Sequence, residues 1–407
     1  MKILLSVCGS ISAYKSIDLA RALVNNGHEV KVVLTKGALN FVVPNVFTYL
    51  GVEDVYRSED DFTHKKVLHV ELARWAEILV IAPLSANTLS RLARGEASDL
   101  LTSIFLAFEP TKPIGVFPAM NTMMLKHPFT QENFAELKKL SSLNNLFVSP
   151  TNSGILACEE IGEGKLPRVE EIAELIPLLR PPFNLAEKRK KIVISTGATI
   201  SPIDPVRYLT NSSSGITGFY LAQVALKKGY EVVVVAGKHA SSELNLLSKH
   251  PFYKLTRIVT VKEMSEVVFS ELKNADVYIS AAAISDWEFN FENEKIKKEK
   301  SSESLLIKKA QDILRSVIDQ YTGKIKIVGF AAETNLSDEI LINKFRSKPV
   351  DLLVGTKVDN GLGSKTKEQG FGVIEASYRF VEEGFITNEK ALTKTELAEV
   401  IFGRLKL

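Results

Sequence analysis

Lys2-Ile3-Leu4-Leu5-Ser6-Val7-Cys8-Gly9 and Lys191-Ile192-Val193-Ile194-Ser195-Thr196-Gly197 decide the fold when laid side by side. Each is a short apolar run that ends at a glycine, the pattern of a buried strand turning into a loop. The echo continues outward. Ala22-Leu23-Val24-Asn25-Asn26-Gly27-His28-Glu29-Val30 is matched by Ala225-Leu226-Lys227-Lys228-Gly229-Tyr230-Glu231-Val232, a helix stopped by glycine and followed by a strand. Ala76 to Pro83 is matched by Ala275 to Ala282, and Ile114-Gly115-Val116-Phe117 by Ile325-Lys326-Ile327-Val328. The chain therefore reads as an approximate internal duplication of alternating strands and helices. Strands that are apolar throughout, rather than alternating, are buried on both faces. The expected class is α/β, two Rossmann-like doubly wound parallel-sheet domains in tandem, with ligands where strands end.

Composition agrees with this plan. A chain of 407 residues is long enough for two or three domains. With 51 basic against 48 acidic residues the net charge is +3, so a polyanion-coating protein is excluded and no nucleic-acid partner is expected. No apolar run approaches the roughly 20 residues of a membrane helix, so no membrane partner is expected. The apolar start is shorter than the ~7 to 15 residues of a signal-peptide core and reads as a first strand. Cys8 and Cys158 form no CxxC pair, which fits a reducing cytoplasm. Arg180-Pro181-Pro182 and the basic run Lys188 to Lys191 mark a linker, dividing the chain into residues 1–182 and 183–407.

The turn Cys8-Gly9-Ser10-Ile11-Ser12 offers backbone N–H groups at a strand-to-helix junction, where a phosphate is favoured. It lacks GxGxxG, and the second strand ends at Leu34-Thr35 without the acidic residue that grips a ribose, which argues for a mononucleotide. Ser10, Ser12 and Thr35 offer hydroxyls to phosphate oxygens; a helix cap explains Ser10 or Ser12 equally well. Taken with Ala82 to Thr88, Phe117 to Met124, His69-Val70-Glu71-Leu72 and Gly154 to Cys158, this half resembles the flavin-dependent cysteine decarboxylases, specifically phosphopantothenoylcysteine decarboxylase. The resemblance implies FMN held by Gly9, Ser10, Ile11, Thr35, Ser85, Asn87 and Thr88, a substrate-contacting Asn121, a functional His69, and Cys158 as proton donor on a flap.

The chemistry explains the parts. Decarboxylating an N-acylated cysteine leaves an unstabilised carbanion unless an electron sink is supplied. Oxidation of the thiol to a thioaldehyde by FMN lets the electrons enter C=S; hydride returns from the flavin while an acid supplies the proton. A thiol of ordinary pKa, about 8.5, is mostly protonated at neutral pH and can be that acid. Cys158 lies in a charged, glycine-rich stretch, unlike a core cysteine, whereas Cys8 reads as core. His69 alone would read as a structural histidine. Departures from the family pattern are Ser10 for glycine, Glu159 for the glycine after the cysteine, and Lys165 for arginine.

From Lys191 onward, Asp204 to Gly215, Ser280 to Asp286, Lys295-Ile296-Lys297-Lys298, Gly329 to Thr334 and Lys344 to Asp351 resemble phosphopantothenate–cysteine ligase. Together the halves match the bifunctional bacterial family of coenzyme A biosynthesis. A carboxylate must be activated before amide formation, and the family uses CTP to make an acyl-cytidylate from 4'-phosphopantothenate before cysteine attacks. The resemblance implies Asp286, Asp312, Ile313 and Phe330 against CTP, Lys295, Lys344 and Lys348 offsetting phosphate charge with Mg²⁺, and Asn211 holding the acyl-cytidylate. Arg207 has two readings, gripping a substrate phosphate or ordering its loop. The Lys295 run alone would read as a solvated basic face. The segment before Pro202 lacks the family's glutamate, Ala310-Gln311 replaces Asn-Pro, and Thr356 stands for asparagine.

No His, Cys or carboxylate cluster has metal-site spacing, so protein ligands of Mg²⁺ are not assigned. The family implies homo-oligomers, with decarboxylase trimers around shared flavin sites and ligase dimers. Two other functions remain open on the residues: a flavin or nicotinamide oxidoreductase, disfavoured by the missing dinucleotide fingerprint, and a non-catalytic nucleotide sensor, disfavoured by the retained lysines and Asn211.

Overall fold

The structure, a computed structural model, describes residues 1–62, 67–142, 145–155, 159–180, 188–297, 306–358 and 375–407. It divides into two compact units, Met1–Glu187 with Lys249–Pro251, and Lys188–Ser248 with Phe252–Leu407.

The first unit is built on strands β1 (Lys2–Val7), β2 (Glu29–Leu34), β3 (Asp54–Arg57), β4 (Ile78–Leu84), β5 (Ile114–Pro118) and β6 (Leu146–Val148). They form one parallel sheet in the order β3-β2-β1-β4-β5-β6. The central strands β1 and β4 are buried along almost their whole length, as continuous apolar sequence demands of strands covered on both faces. A hairpin, β7 (Asn152–Ile155) and β8 (Ile161–Lys165), stands apart from this sheet.

In the second unit β9 (Lys191–Thr196) is followed by a small hairpin, β10 (Ile200–Pro202) and β11 (Tyr208–Thr210), inserted before the helix Ile216–Lys227. The main sheet adds β12 (Glu231–Gly237), β13 (Tyr253–Ile258) and β14 (Val277–Ser280). A second inserted pair, β15 (Trp287–Phe289) and β16 (Ile307–Lys309), precedes β17 (Lys326–Glu333) and β18 (Leu352–Lys357). The parallel part runs β13-β12-β9-β14-β17-β18, the same order as in the first unit. The strand echoes read from the sequence thus occupy equivalent places.

The second sheet keeps the doubly wound parallel order and adds an antiparallel extension that the sequence reading did not include. Beyond β18 the sheet continues antiparallel through β19 (Glu375–Glu382), which pairs with β20 (Phe385–Ile386) and β21 (Lys390–Thr393). The turn Glu383-Gly384, both residues at positive φ, reverses the chain directly into β20, so no crossover helix separates the strands and they run antiparallel. Among the described residues, no helix is long and apolar enough to cross a membrane.

Helix Ile216–Lys227 packs against β9 so closely that a Cβ on Gly218 would lie 2.5 Å from the Thr196 side chain. Only glycine permits that approach. Gly218→Ala is expected to destabilise the second unit by about 1–3 kcal/mol, as overpacking does. Urea unfolding would measure it, and an unchanged midpoint would show that the contact relaxes freely.

Candidate functional site

In a sheet of order 3-2-1-4-5-6, the chain leaves strands 1 and 4 in opposite directions and a crevice opens between their carboxyl ends. In the first unit a cavity of about 760 Å³ lies there. Its wall is formed by Gly9 to Ser12, Tyr14 and Lys15 after β1, Ser85 and Ala86 after β4, and Ala119 to Asn121 with Met124 after β5. Phe41, Ile155, Gly164 and Lys165 complete it. The size suits a flavin mononucleotide. So does the donor set: hydroxyls and amines that can bind phosphate stand beside Ile11, Phe41, Met120 and Met124, which can flank a flat apolar ring.

Of the residues expected at FMN, Gly9, Ser10, Ile11 and Ser85 line this cavity, and so does Asn121. Thr35 and Thr88 do not: both are buried behind it. The Thr35 hydroxyl donates to the Val7 carbonyl (3.2 Å) and accepts from the Ala38 amide (3.4 Å), bracing the turn after β2. Ser85 caps the helix Ala86–Ala93, accepting from the Thr88 amide at 3.3 Å, and donates to the Thr88 hydroxyl at 3.2 Å. Asn87 sits exposed in that helix and is not on the wall. Of the two readings of Ser10, the capping one is observed: its hydroxyl accepts from the Ser12 amide at 3.4 Å and donates to the Ala119 carbonyl at 3.2 Å.

Among the cavity residues that the sequence reading did not place at the site are two lysines. Lys15 and Lys165 both face the cavity, and burial, followed by the Lys165 charge, lowers the Lys15 pKa. Two amines sharing one wall favour an anion between them. The signal available in the sequence was the position of Lys15 in the first turn after the phosphate-binding loop. Cys8 is buried; burial pushes its thiol up to about 11 against a hydrogen bond with Thr88, so it stays protonated and structural.

His69 is not on the cavity wall. Its Nδ1 lies 2.9 and 3.0 Å from the two carboxylate oxygens of buried Asp61, and its backbone amide donates to the same group at 3.1 Å. Cys158 lies outside the described residues, but the hairpin that carries it is well placed. The Met120 amide donates to the Gly164 carbonyl at 3.0 Å, and the Thr122 hydroxyl to the Glu163 carbonyl at 2.6 Å. Cβ atoms at Gly162 and Gly164 would lie 2.2 and 2.1 Å from Thr122 and Met120. The base of the flap thus rests directly on the Asn121 turn. Glu159, the departure next to the cysteine, adopts φ +63°, the left-handed conformation natural to glycine.

The second unit has two adjoining cavities at its own crevice. One, about 330 Å³, is lined by Asp286, Asp312, Ile313, Phe330 and Lys348, expected at CTP, together with Trp287, Lys309 and Gln311. Asp312 caps the helix Ile313–Tyr321, accepting from the Arg315 amide at 3.0 Å, and pairs with Lys348 at 2.6 Å. Lys344 pairs with Glu333 and is not on this wall; nor is exposed Lys295. Lys298, from the same basic run, lies outside the described residues.

The loop around Arg207 explains where Lys295 sits. Arg207 donates to the Asp204 carboxylate at 2.9 Å and to the Ile296 carbonyl at 2.9 Å, so it orders the loop and anchors the segment bearing Lys295. That guanidinium, with backbone amides of Val206, Arg207 and Ile296, holds the Asp204 carboxyl well below the usual carboxylate range. The Asn211 amide donates to the Ala283 and Ile284 carbonyls, both at 3.2 Å, and ties its loop to the end of β14. The second cavity, about 100 Å³, meets the first at Ala282 and Phe330. Among the described residues no group of three His, Cys, Asp or Glu side chains could hold a metal ion.

Comparison with known proteins follows the same division. Residues 1–179 match the Flavoprotein family, and residues 187–406 match the DNA/pantothenate metabolism flavoprotein C-terminal domain. The Coenzyme A biosynthesis bifunctional protein CoaBC of Vibrio vulnificus (strain CMCP6) is 33% identical over 406 residues, covering 98% of this chain and 97% of that protein. The protein of the same name from Bacillus subtilis (strain 168) is 33% identical over 366 residues, covering 89% and 87%. Among solved structures, the FMN binding protein AtHal3 is 36% identical, with a TM-score of 0.39, covering 44% of this chain and 95% of that one.

Glu159→Gly should relieve the left-handed strain beside the flap, roughly 1–2 kcal/mol, partly offset by the roughly 0.5–1 kcal/mol entropic cost of glycine. Amide hydrogen exchange across Asn152–Lys165 is expected to slow. Faster exchange would show that Glu159 is held by favourable contacts instead.

Proposed function

The chain belongs to the bifunctional coenzyme A biosynthesis family, a Flavoprotein domain followed by a DNA/pantothenate metabolism flavoprotein C-terminal domain, and from that premise we propose how its residues share the work. The enzyme ligates 4'-phosphopantothenate to cysteine and decarboxylates the product to 4'-phosphopantetheine, with FMN as a cofactor. We assign decarboxylation to residues 1–182 and CTP-dependent ligation, through an acyl-cytidylate, to residues 183–407. The observation that carries the reading is the presence, within each family match, of a cavity at the carboxyl ends of the parallel strands, lined by residues of the expected kind.

When bound, FMN supplies the electron sink that loss of carbon dioxide requires. Gly9, Ser10, Ile11 and Ser85 would hold it directly, Asn87 would have to reach it from beside the wall, and Thr35 and Thr88 would support it from the turns. Lys15 and Lys165 favour an anionic group on the same wall. Asn121 orients the substrate. Cys158 donates a proton from its Sγ, delivered by a hairpin seated on the Asn121 turn. His69, held by Asp61 away from this wall, completes the site of another copy in a trimer.

In the second half Asp286, Asp312, Ile313 and Phe330 contact CTP. Lys295, Lys344 and Lys348 offset the charge that builds at its α-phosphate, with Mg²⁺ on phosphate oxygens. The pairs Lys344–Glu333 and Lys348–Asp312 keep two of these amines beside carboxylates, ready to exchange one anion for another. Asn211, bonded to the carbonyls of Ala283 and Ile284 just after β14, retains the acyl-cytidylate, and the ligase half dimerises.

Cys158→Ser is expected to lower carbon dioxide release about 100-fold or more while leaving pyrophosphate release within about twofold. Equal loss of both would refute the division of labour. Lys348→Met should raise the KM for CTP about tenfold, the effect of one charge-assisted hydrogen bond, without altering the absorbance of bound flavin. An unchanged KM would remove Lys348 from the nucleotide site.

A further inference from the structure

Lys394 is a lysine in an unusual place. It begins the helix Lys394–Leu405, yet only 7% of it is exposed, and it lines the smaller cavity of the second unit. Its amine donates to the Tyr378 hydroxyl at 2.6 Å, and Tyr378, itself fully buried, is hydrogen-bonded to Thr356. Lys394, Tyr378 and Thr356 therefore form a chain along one side of the cavity. The described residues of the wall include no carboxylate: the ionisable groups on it are Lys394 and Tyr378 alone. A cation buried without a counter-charge is costly, and the cost is removed when an anion arrives.

The opposite side of the cavity suits an anion. Ser213, Ser214, Gly215 and Ile216 turn into the twelve-residue helix Ile216–Lys227; the Ser214 hydroxyl accepts from the Ile216 amide at 3.4 Å and the Gly215 carbonyl from the Gly218 amide at 3.0 Å, and the cap, Gly215, adds no side chain of its own. The two cavities share Ala282 and Phe330, so a group in the smaller one lies beside whatever fills the larger.

We propose that Lys394, backed by Tyr378 and Thr356 and faced by the Ser213–Ile216 turn, is the anchor of a phosphoryl-anion subsite next to the nucleotide cavity. This deepens the ligase reading and rests on it for the identity of the natural ligand. The shared chemistry is a phosphoryl group, which can come from the nucleotide's polyphosphate or from 4'-phosphopantothenate. A small site of this size takes one phosphoryl group, with the Lys394 amine and Tyr378 hydroxyl on one side and the Ser213–Ile216 turn on the other.

Binding is measured by calorimetry on the full chain, with inorganic pyrophosphate, CTP and 4'-phosphopantothenate titrated separately. Lys394→Met should weaken the anion that uses the site by about tenfold or more. Loss confined to pyrophosphate and CTP assigns the subsite to the nucleotide, and loss confined to 4'-phosphopantothenate assigns it to the substrate. Unchanged affinity for all three overturns the proposal. A merely structural lysine is separated by thermal unfolding, because removing a buried unpaired charge should leave the variant at least as stable as the native protein; a destabilised variant that binds normally also overturns it.

A second measurement needs no variant. Burial lowers the Lys394 pKa to about 8, while Tyr378 is pushed up to about 12 and stays neutral. Sulfate carries a fixed charge across this range, so its affinity for the native chain should be full below pH 8 and fall as the amine deprotonates above it. Sulfate binding that is flat from pH 7 to 10 would exclude Lys394 as the anchor. If CTP is never turned over yet pyrophosphate binding depends on Lys394, the ligase reading fails and the subsite stands.

Discussion

Two strands at the middle of a parallel sheet that send their connections to opposite faces cannot close the gap between their own ends. That topological constraint places every cavity considered above. In the first unit it sets the turn after β1 beside the turns after β4 and β5; in the second it sets the ends of β9, β14 and β17 side by side. The crevice follows from strand order alone, and the side chains decide what enters it. The two units differ in what is inserted beside it: a hairpin seated on the Asn121 turn in one, and the β10–β11 and β15–β16 pairs in the other.

Much of the fold was legible because it rests on a local, repeated signal. Uninterrupted apolar runs such as Ile3 to Val7 and Ile192 to Ser195 can only be central strands, and the glycine after each marks the binding turn. The antiparallel extension was not legible. β19 alternates buried and exposed residues and follows a long segment without comparable apolar runs, so nothing in the sequence tied it to β18. The turn residues that line the cavities were picked out for the same reason as the strands. The burial of Thr35 and Thr88 was not legible, because a hydroxyl beside a strand-end turn looks the same in sequence whether it faces a ligand or braces the turn, and only the structure shows the hydrogen bonds to Val7 and Ser85. Lys394 gave no signal at all: a lysine at a helix start ordinarily faces water, and only tertiary packing buries it.

Charge is handled differently in the two parts of the second unit's crevice. Around the larger cavity Lys348 already has Asp312, and nearby Lys344 has Glu333, so an incoming phosphate competes with carboxylates. In the smaller cavity Lys394 donates to the neutral Tyr378 hydroxyl, and the described wall holds no carboxylate. Paired amines cost little to keep and yield little on binding, whereas an unpaired one destabilises the empty fold and gains correspondingly when neutralised.

The hairpin of the first unit holds its position through Gly162 and Gly164, whose bare α-carbons leave no room between it and, respectively, the Thr122 side chain and the Met120 backbone. At Gly164 main chain rests on main chain. The height of the strands over the cavity is accordingly a matter of peptide thickness, indifferent to the composition of the tip between them. Such a mount admits no methyl group at its feet, whatever the sequence between the two strands.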